Sequence, residues 1–258
     1  MKENLKFFFN NQSSNDLGII NINIEGGLLQ ERLFAPTELF EESIKGNSKP
    51  YFLSKEQKPF EFQLAFAFLD YFDNNKLREI ARWLNVNYFK EFYFLENPNY
   101  RFFVMPVSDS YITHNGLNQG YVTVTMRTSD AFAYSHEIMS IEYDLSVNAP
   151  TGTNIRIDNE GDVPIGIEMW ITKIGDGDIT IINKDDANKE FKVKDLKDGE
   201  LVYINHEKED IHSNIPNLYH FNDVLTDYMK LPLGSNVLNI IGECKIQFRY
   251  MYKYLVSI

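Results

Sequence analysis

The two halves of this chain fill their interiors with different residues. Of the 20 phenylalanines, 17 fall in residues 1–135 and 3 in residues 136–258, whereas isoleucine rises from 7 before that point to 18 after it. One continuous core does not change its filling so sharply. The sequence therefore predicts two domains, each with its own interior and each near the common domain size. The junction is expected between Tyr134 and Asn148, giving domains at 1–137 and 138–258.

Both halves carry the two-residue period of strands. In the run from Phe60 to Phe68 the bulky residues Phe60, Phe62, Leu64, Phe66 and Phe68 share one face, and the small residues of the other face predict a close neighbour. Aromatic strands follow at Tyr88–Leu95 and Tyr100–Val107, hinged by Glu96-Asn97-Pro98-Asn99. Asn115-Gly116 is a hairpin turn before Tyr121–Thr128, which alternates Tyr/Thr/Thr with Val/Val/Met. One helix interrupts the strands. Leu77, Ile80, Ala81 and Leu84 recur at helical spacing after the capping run Asp73-Asn74-Asn75, which predicts a helix over 75–85. The second half predicts about seven short strands near 154–158, 165–174, 179–183, 190–196, 201–205, 237–241 and 245–257, with turn-rich breaks. Among those breaks Asp198-Gly199 is the strongest hairpin signal. The expected fold class is mainly β: an N-terminal β-sandwich or barrel-like domain with one helix, then an antiparallel β-sandwich.

Residues 26–59 fit neither pattern. They hold Leu28, Leu29, Leu33, Phe34, Leu39, Phe40, Tyr51 and Phe52 without a sustained period. A structureless stretch of that length is uncommon inside a compact domain, and a solvated loop has no need of so many apolar side chains. Three readings stay open: an irregular wrap over the domain's own core, disorder, and an arm. The arm would bury Leu28, Leu33, Phe34, Leu39, Phe40, Tyr51 and Phe52 on a neighbouring subunit.

Charge and motifs exclude more than they assign. With 25 Lys and Arg against 37 Asp and Glu, the net charge of −12 argues against nucleic-acid binding, which needs clustered bases to neutralise phosphates. No stretch approaches 18 apolar residues, so no membrane span is expected, and Phe7-Phe8-Phe9 is too short for a signal segment. The lone cysteine, Cys244, excludes an intramolecular disulfide and a multi-cysteine zinc site; its apolar surroundings suit a buried, inert thiol. His206 and His212 stand six residues apart, not the four that place two ligands on one helix face. The run from Asn205 to His212, with His220 and Asp223 beyond, reads as a solvated acidic loop, with a metal site as the lesser alternative. Gly175-Asp176-Gly177-Asp178 and Asp185-Asp186 lack the third acid and terminal Glu of a calcium loop. No G-x-S-x-G, phosphate-binding or dinucleotide-binding glycine pattern occurs. Among 37 acids no glycosidase pair can be singled out. Arg78 and Arg82 form a solvated helix face, and Trp83 and Trp170 are expected in the core. No catalytic, metal or cofactor-binding residue is expected, and no cofactor.

The order of these elements resembles the distal tail proteins of long-tailed bacteriophages. The likeness rests on Phe7-Phe8-Phe9-Asn10 with the run Ser13 to Ile19, on Pro50-Tyr51-Phe52 ahead of the Phe60–Phe68 strand, and on Leu77 to Leu84. It continues through the closing run Val122 to Tyr134 with its acid-x-Phe-x-Tyr ending, and through the turns Ile157 to Ile165 and Leu231 to Asn236, which resemble those of the family's galectin-like C-terminal sandwich. The resemblance implies a non-enzymatic virion protein of the tail tip, made in the host cytoplasm. It implies a homohexameric ring that continues the tube, with a tail hub or tail-associated protein beneath and receptor-binding or other baseplate proteins held by the C-terminal domain. DNA would pass through without being bound, and no membrane partner is implied. Six copies at −12 each carry −72 formal charges, so a lumen poor in Lys and Arg is expected. Galectins hold sugar with His, Asn, Arg, Trp and Glu on one sheet, and no such set can be matched to positions in this sequence. A carbohydrate-binding β-sandwich module for host-surface adhesion is the alternative function, and a calcium-dependent adhesion domain is a third.

Overall fold

The computed structural model describes residues 6–24 and 33–255. The chain divides into two compact units. One holds the residues up to Tyr134 together with those from Tyr254 onward, and the other is Ser135–Lys253. Both are built mainly of β-strands, with one helix in the first among the described residues.

The first unit contains β1 (Phe7–Phe9), β2 (Gln12–Ser13), β3 (Ile19–Asn21), β4 (Thr37–Glu42), β5 (Tyr51–Gln57), β6 (Glu61–Phe68), α1 (Asn74–Leu84), β7 (Lys90–Phe94), β8 (Phe102–His114), β9 (Gly120–Thr128) and β10 (Ala133–Tyr134). Seven of these strands form one sheet in the order β2-β1-β7-β8-β9-β6-β3. The alternation read in β6 holds at its centre. Leu64 and Phe66 are buried and face across the register to Val124 and Val122 of β9, which are buried in turn. Cross-strand pairs of this kind are the unit of sheet stability.

Helix α1 starts where the sequence placed its cap: the Lys76 N–H donates to Asp73 Oδ1 at 2.7 Å. Its buried stripe is Ile80, Trp83 and Leu84. Ala81, expected on that stripe, is exposed, and Trp83 takes its place. The larger ring wins because it reaches the core. Its centroid lies 6.0 Å from Phe7, 5.4 Å from Phe9 and 6.2 Å from Phe66. Its indole N–H donates to the Phe9 carbonyl at 2.9 Å, the partner that a buried Trp requires, and Asn10 Nδ2 donates back to the Trp83 carbonyl at 2.9 Å.

The second unit follows with β11 (Ile138–Met139), β12 (Tyr143–Leu145), β13 (Thr153–Asn159), β14 (Ile165–Gly166), β15 (Glu168–Lys173), β16 (Gly177–Asn183), β17 (Lys189–Leu196), β18 (Leu201–Asn205), β19 (Asp210–Ser213), β20 (Lys230–Leu231), β21 (Gly234–Ile241) and β22 (Cys244–Tyr250), and the short β23 (Lys253–Tyr254) falls at the division. One sheet runs β11-β22-β15-β18-β19 with β12 also on β22; the other runs β13-β21-β16-β17. Their inner faces share an aliphatic core that includes Met169, Ile171, Val202, Ile204 and Ile246 from the first sheet and Ile157, Ile181, Val193, Leu238 and Ile240 from the second. This is the antiparallel sandwich expected from the strand spacing.

Three expectations change here. Asp198-Gly199 does not close a hairpin: β17 pairs with β16, and β18 pairs with β15 and β19, so the turn carries the chain from one sheet to the other. Gly199 supplies a φ of 73° and Asp198 Oδ1 accepts from the Gly175 N–H at 2.6 Å, so the dipeptide serves a crossing as readily as a hairpin. The supposed acidic loop after Asn205 is the β18–β19 hairpin, with Asn205 opposite Asp210 and Val202 opposite Ser213. One apolar residue decides it, since Ile211 is buried between Asp210 and His212. Trp170 is the third. It is half-buried on the outer face of β15 and is not part of the core.

Candidate functional site

Residues 34–57 are neither wrapped nor structureless. β4 and β5 form a two-stranded antiparallel hairpin of their own, registered from Thr37 opposite Gln57 to Glu42 opposite Tyr51, with a bulge after Phe40. Every residue of β4 is exposed. Alternation along β5 puts Phe52, Ser54 and Glu56 on one face and Tyr51, Leu53 and Lys55 on the other. Glu38 and Phe40 of β4 share the first face, and Leu39 lies on the second. Apolar side chains therefore stand on both faces. That double-sided pattern is why no single period shows in the sequence, and why the hairpin cannot bury itself by lying on its own core.

The base of the hairpin is tied down. The Lys58 N–H donates to the Pro36 carbonyl at 2.8 Å, and Ala35 is buried in the first core. Lys58 Nζ reaches Glu56 at 2.6 Å and Glu38 at 3.2 Å and lies 5.1 Å from the Phe40 ring centroid. Hydrogen bonds to Glu56 and Glu38 hold the ammonium above its ordinary pKa. Beyond the base the exposure is large: Leu33 is 82% exposed, Phe52 63% and Leu39 56%. Phe34, Phe40 and Tyr51 are exposed as well. Leu28 lies outside the described residues. Sequence reading missed Leu53 and Ile44, also exposed here. It also missed the outer half of the β8–β9 hairpin, where the register shifts between Val107 and Tyr111 and leaves Tyr111, Ile112 and Leu117 exposed.

The polar candidates of the second unit separate. His206 is buried; its Nδ1 accepts from the Met229 N–H at 2.9 Å, and burial pushes its pKa down to about 3. Its Nε2 has no partner among the described residues. His212 is exposed beside Asp210 at 2.7 Å. His220 is buried between Glu200 Oε1 at 2.7 Å and Asp223 Oδ2 at 2.9 Å. Burial works to raise the Glu200 pKa, but hydrogen bonds from Ser213, the Lys197 N–H and His220 hold it below the ordinary carboxylate value. Ser213 donates to the carboxylate and not to the imidazole, so these groups form a closed hydrogen-bonded network in which His220 does not activate Ser213. Asp176 accepts from the Asp198 N–H at 2.8 Å and Asp178 pairs with Lys192 at 2.9 Å. Among the described residues no group of three His, Cys, Asp or Glu is placed to hold a metal ion. Cys244 is buried, and that burial pushes its thiol up to about 11.

Residues 2–130 match the family model described as phage tail protein N-terminal domain, and residues 132–250 match the phage tail C-terminal domain. The chain belongs to this family of phage tail proteins. It is 34% identical over 255 residues to the SPbeta prophage-derived protein YomH of Bacillus subtilis strain 168, a match covering 99% of this chain and all of that protein. The tail protein shares its fold with the Dit protein of phage SPP1, described as a paradigm of the hub adsorption apparatus of phages infecting Gram-positive hosts. The TM-score is 0.68 at 13% identity, over 96% of this chain and 99% of that one. A chain of the phage P2 baseplate in its activated conformation with Ca aligns at a TM-score of 0.51 and 9% identity, over 95% and 97%. The resemblance to distal tail proteins read in the sequence agrees with these matches. No helix among the described residues is long and apolar enough to cross a membrane.

Proposed function

We propose that this tail protein is a structural component of the virion that closes, six copies together, into a ring at the distal end of the tail tube. The β4–β5 hairpin carries the reading. A lone two-stranded hairpin is marginal in water, and this one leaves apolar groups on both faces exposed among the described residues. A second copy of the chain is the partner that supplies the cover, through the head-to-tail contacts a ring requires. The domain at 1–137 builds the annulus. The domain at 138–258 faces outward and holds receptor-binding or other baseplate proteins, while the tube protein and a tail hub meet the two ends of the ring. DNA passes through unbound because the chain is acidic, and the wall of the lumen is poor in Lys and Arg. No bond is made or broken by the protein.

Light scattering of the full chain, alone and with the tube protein, tests this. Six chains of 30.1 kDa give a particle of six-fold mass, and deletion of residues 28–56 is expected to leave a soluble monomer. A ring that persists after that deletion, or a basic stripe around its pore, overturns the reading.

A further inference from the structure

The outer face of the β15-containing sheet carries a compact set of side chains that the ring does not use. Strand register puts Trp170 opposite Tyr203, and Tyr203 opposite His212, along one rung. The next rung places Glu168 between Arg249 and Asn205. Trp170 and Tyr203 lie with ring centroids 5.2 Å apart, and the Arg249 guanidinium sits 4.9 Å from the Trp170 centroid. One oxygen organises the polar part. Glu168 Oε2 accepts from Tyr203 Oη at 2.7 Å and from Arg249 Nε at 3.1 Å, with Arg249 Nη2 also bonded to it. Asn205 Nδ2 donates to Tyr203 Oη at 3.1 Å. The arrangement is thus rigid before any ligand arrives. It leaves Glu168 Oε1 as an acceptor and the Trp170 indole N–H as a donor without a partner among the described residues, with the exposed His212 ring alongside.

We propose that this face binds a neutral saccharide. Three features select that chemistry. Half-buried aromatic rings offer an apolar surface to the C–H face of a pyranose, the kind of amphipathic contact that Trp and Tyr make. Within reach of those rings stand an open carboxylate oxygen and open N–H groups, which match hydroxyls that both donate and accept. Arg249 is shared between Glu168 and Glu137, the latter at 3.5 Å, so the set holds more carboxylate than cation and disfavours an anionic sugar. Trp, Tyr and Arg also mark protein interfaces, so a protein contact is the competing outcome that the test separates. The proposal does not rest on the ring.

The test uses the full chain and a panel of neutral hexoses, N-acetylhexosamines and their β-linked disaccharides, read by saturation-transfer NMR. A ligand of a dozen heavy atoms at about 0.3 kcal/mol per atom binds in the millimolar range, so the panel is run to about 20 mM. At least one sugar is expected to bind. Trp170→Ala is expected to weaken it about tenfold, the loss of one aromatic contact. Glu168→Gln, which keeps the shape of the side chain, is expected to weaken it as well while the melting curve stays in place. This second variant keeps the test decisive if Trp170→Ala does not fold. Silence across the panel overturns the proposal, as does binding that survives both substitutions. So does a Trp170→Ala chain that binds sugar unchanged but no longer joins other tail proteins, which assigns the face to a protein contact.

Discussion

The interior of the first unit is aromatic and buries no ionisable side chain among the described residues, whereas that of the second is mainly aliphatic and threaded with ionisable groups. Phe7, Phe9, Phe66 and Phe92 are fully buried; the first three pack on Trp83, and Phe7 also meets Phe66 and Phe92. The second core is mainly Ile, Val, Leu and Met with Phe191 and Phe248 among them, and the same unit buries Glu200, His206 and His220. The two strategies carry different liabilities. Large rings make the first unit sensitive to lost volume, while buried charge makes the second sensitive to pH and to lost partners. The exposed apolar side chains of β4 and β5 belong to the first unit and lie outside its core, so they load its surface and not its stability.

Five measurements sharpen or break that contrast. Phe7→Ala removes a ring with no exposure that touches Phe66, Trp83 and Phe92, and is expected to cost about 3–5 kcal/mol, read by denaturant unfolding through Trp83 emission. His220→Ala takes the imidazole from buried Glu200 and leaves it only Ser213 and the Lys197 N–H, at a cost of about 3 kcal/mol in the second unit; a change below about 1 kcal/mol would show the network to be ornamental. For pH, the sign follows from His206. Its folded pKa of about 3 lies below the unfolded value of 6.5, so the folded state resists protonation and stability is lost as pH falls below 6.5. At about 1.4 kcal/mol per unit the loss reaches about 2 kcal/mol by pH 5, and His206→Gln should flatten that slope. Glu200 adds a loss of the same sign at lower pH, because its depressed pKa stabilises the fold only while it is ionised. Ile181→Val, an aliphatic trim in the second core, should cost only about 1 kcal/mol in a melting series. Leu39→Asp with Phe52→Asp should shift stability by less than about 0.5 kcal/mol, since both are exposed, yet abolish assembly in sedimentation. A large loss of stability there would mean the hairpin serves its own core after all.

Much of this was legible from the order of residues. The Asp73 cap, the β6 alternation and the change from Phe to Ile mark a helix, a strand and two cores through local or summed signals. What stayed hidden needed partners far along the chain. The β4–β5 hairpin has no readable period because both of its faces carry apolar groups. Asp198-Gly199 has the chemistry of a tight turn, and only the pairing of β17 and β18 with other strands shows that it changes sheets. His206 and His220 sit among charged neighbours in sequence, yet Phe191 packs 4.4 Å from the first and Glu200 meets the second from 20 residues away. The Trp170 face draws on four strands, so no local motif could announce it.

The contact between Phe9 and Trp83 also sets a schedule for synthesis. Phe7, Phe8 and Phe9 are made well before their main strand partner: apart from two-residue β2 they pair with β7, ending at Phe94. At about 5–20 residues per second the wait lasts on the order of 4–17 seconds. Throughout it, the greasiest triplet in the chain has no seat. A ribosome slowed anywhere between Phe9 and Phe94 should therefore raise the yield of insoluble nascent chains.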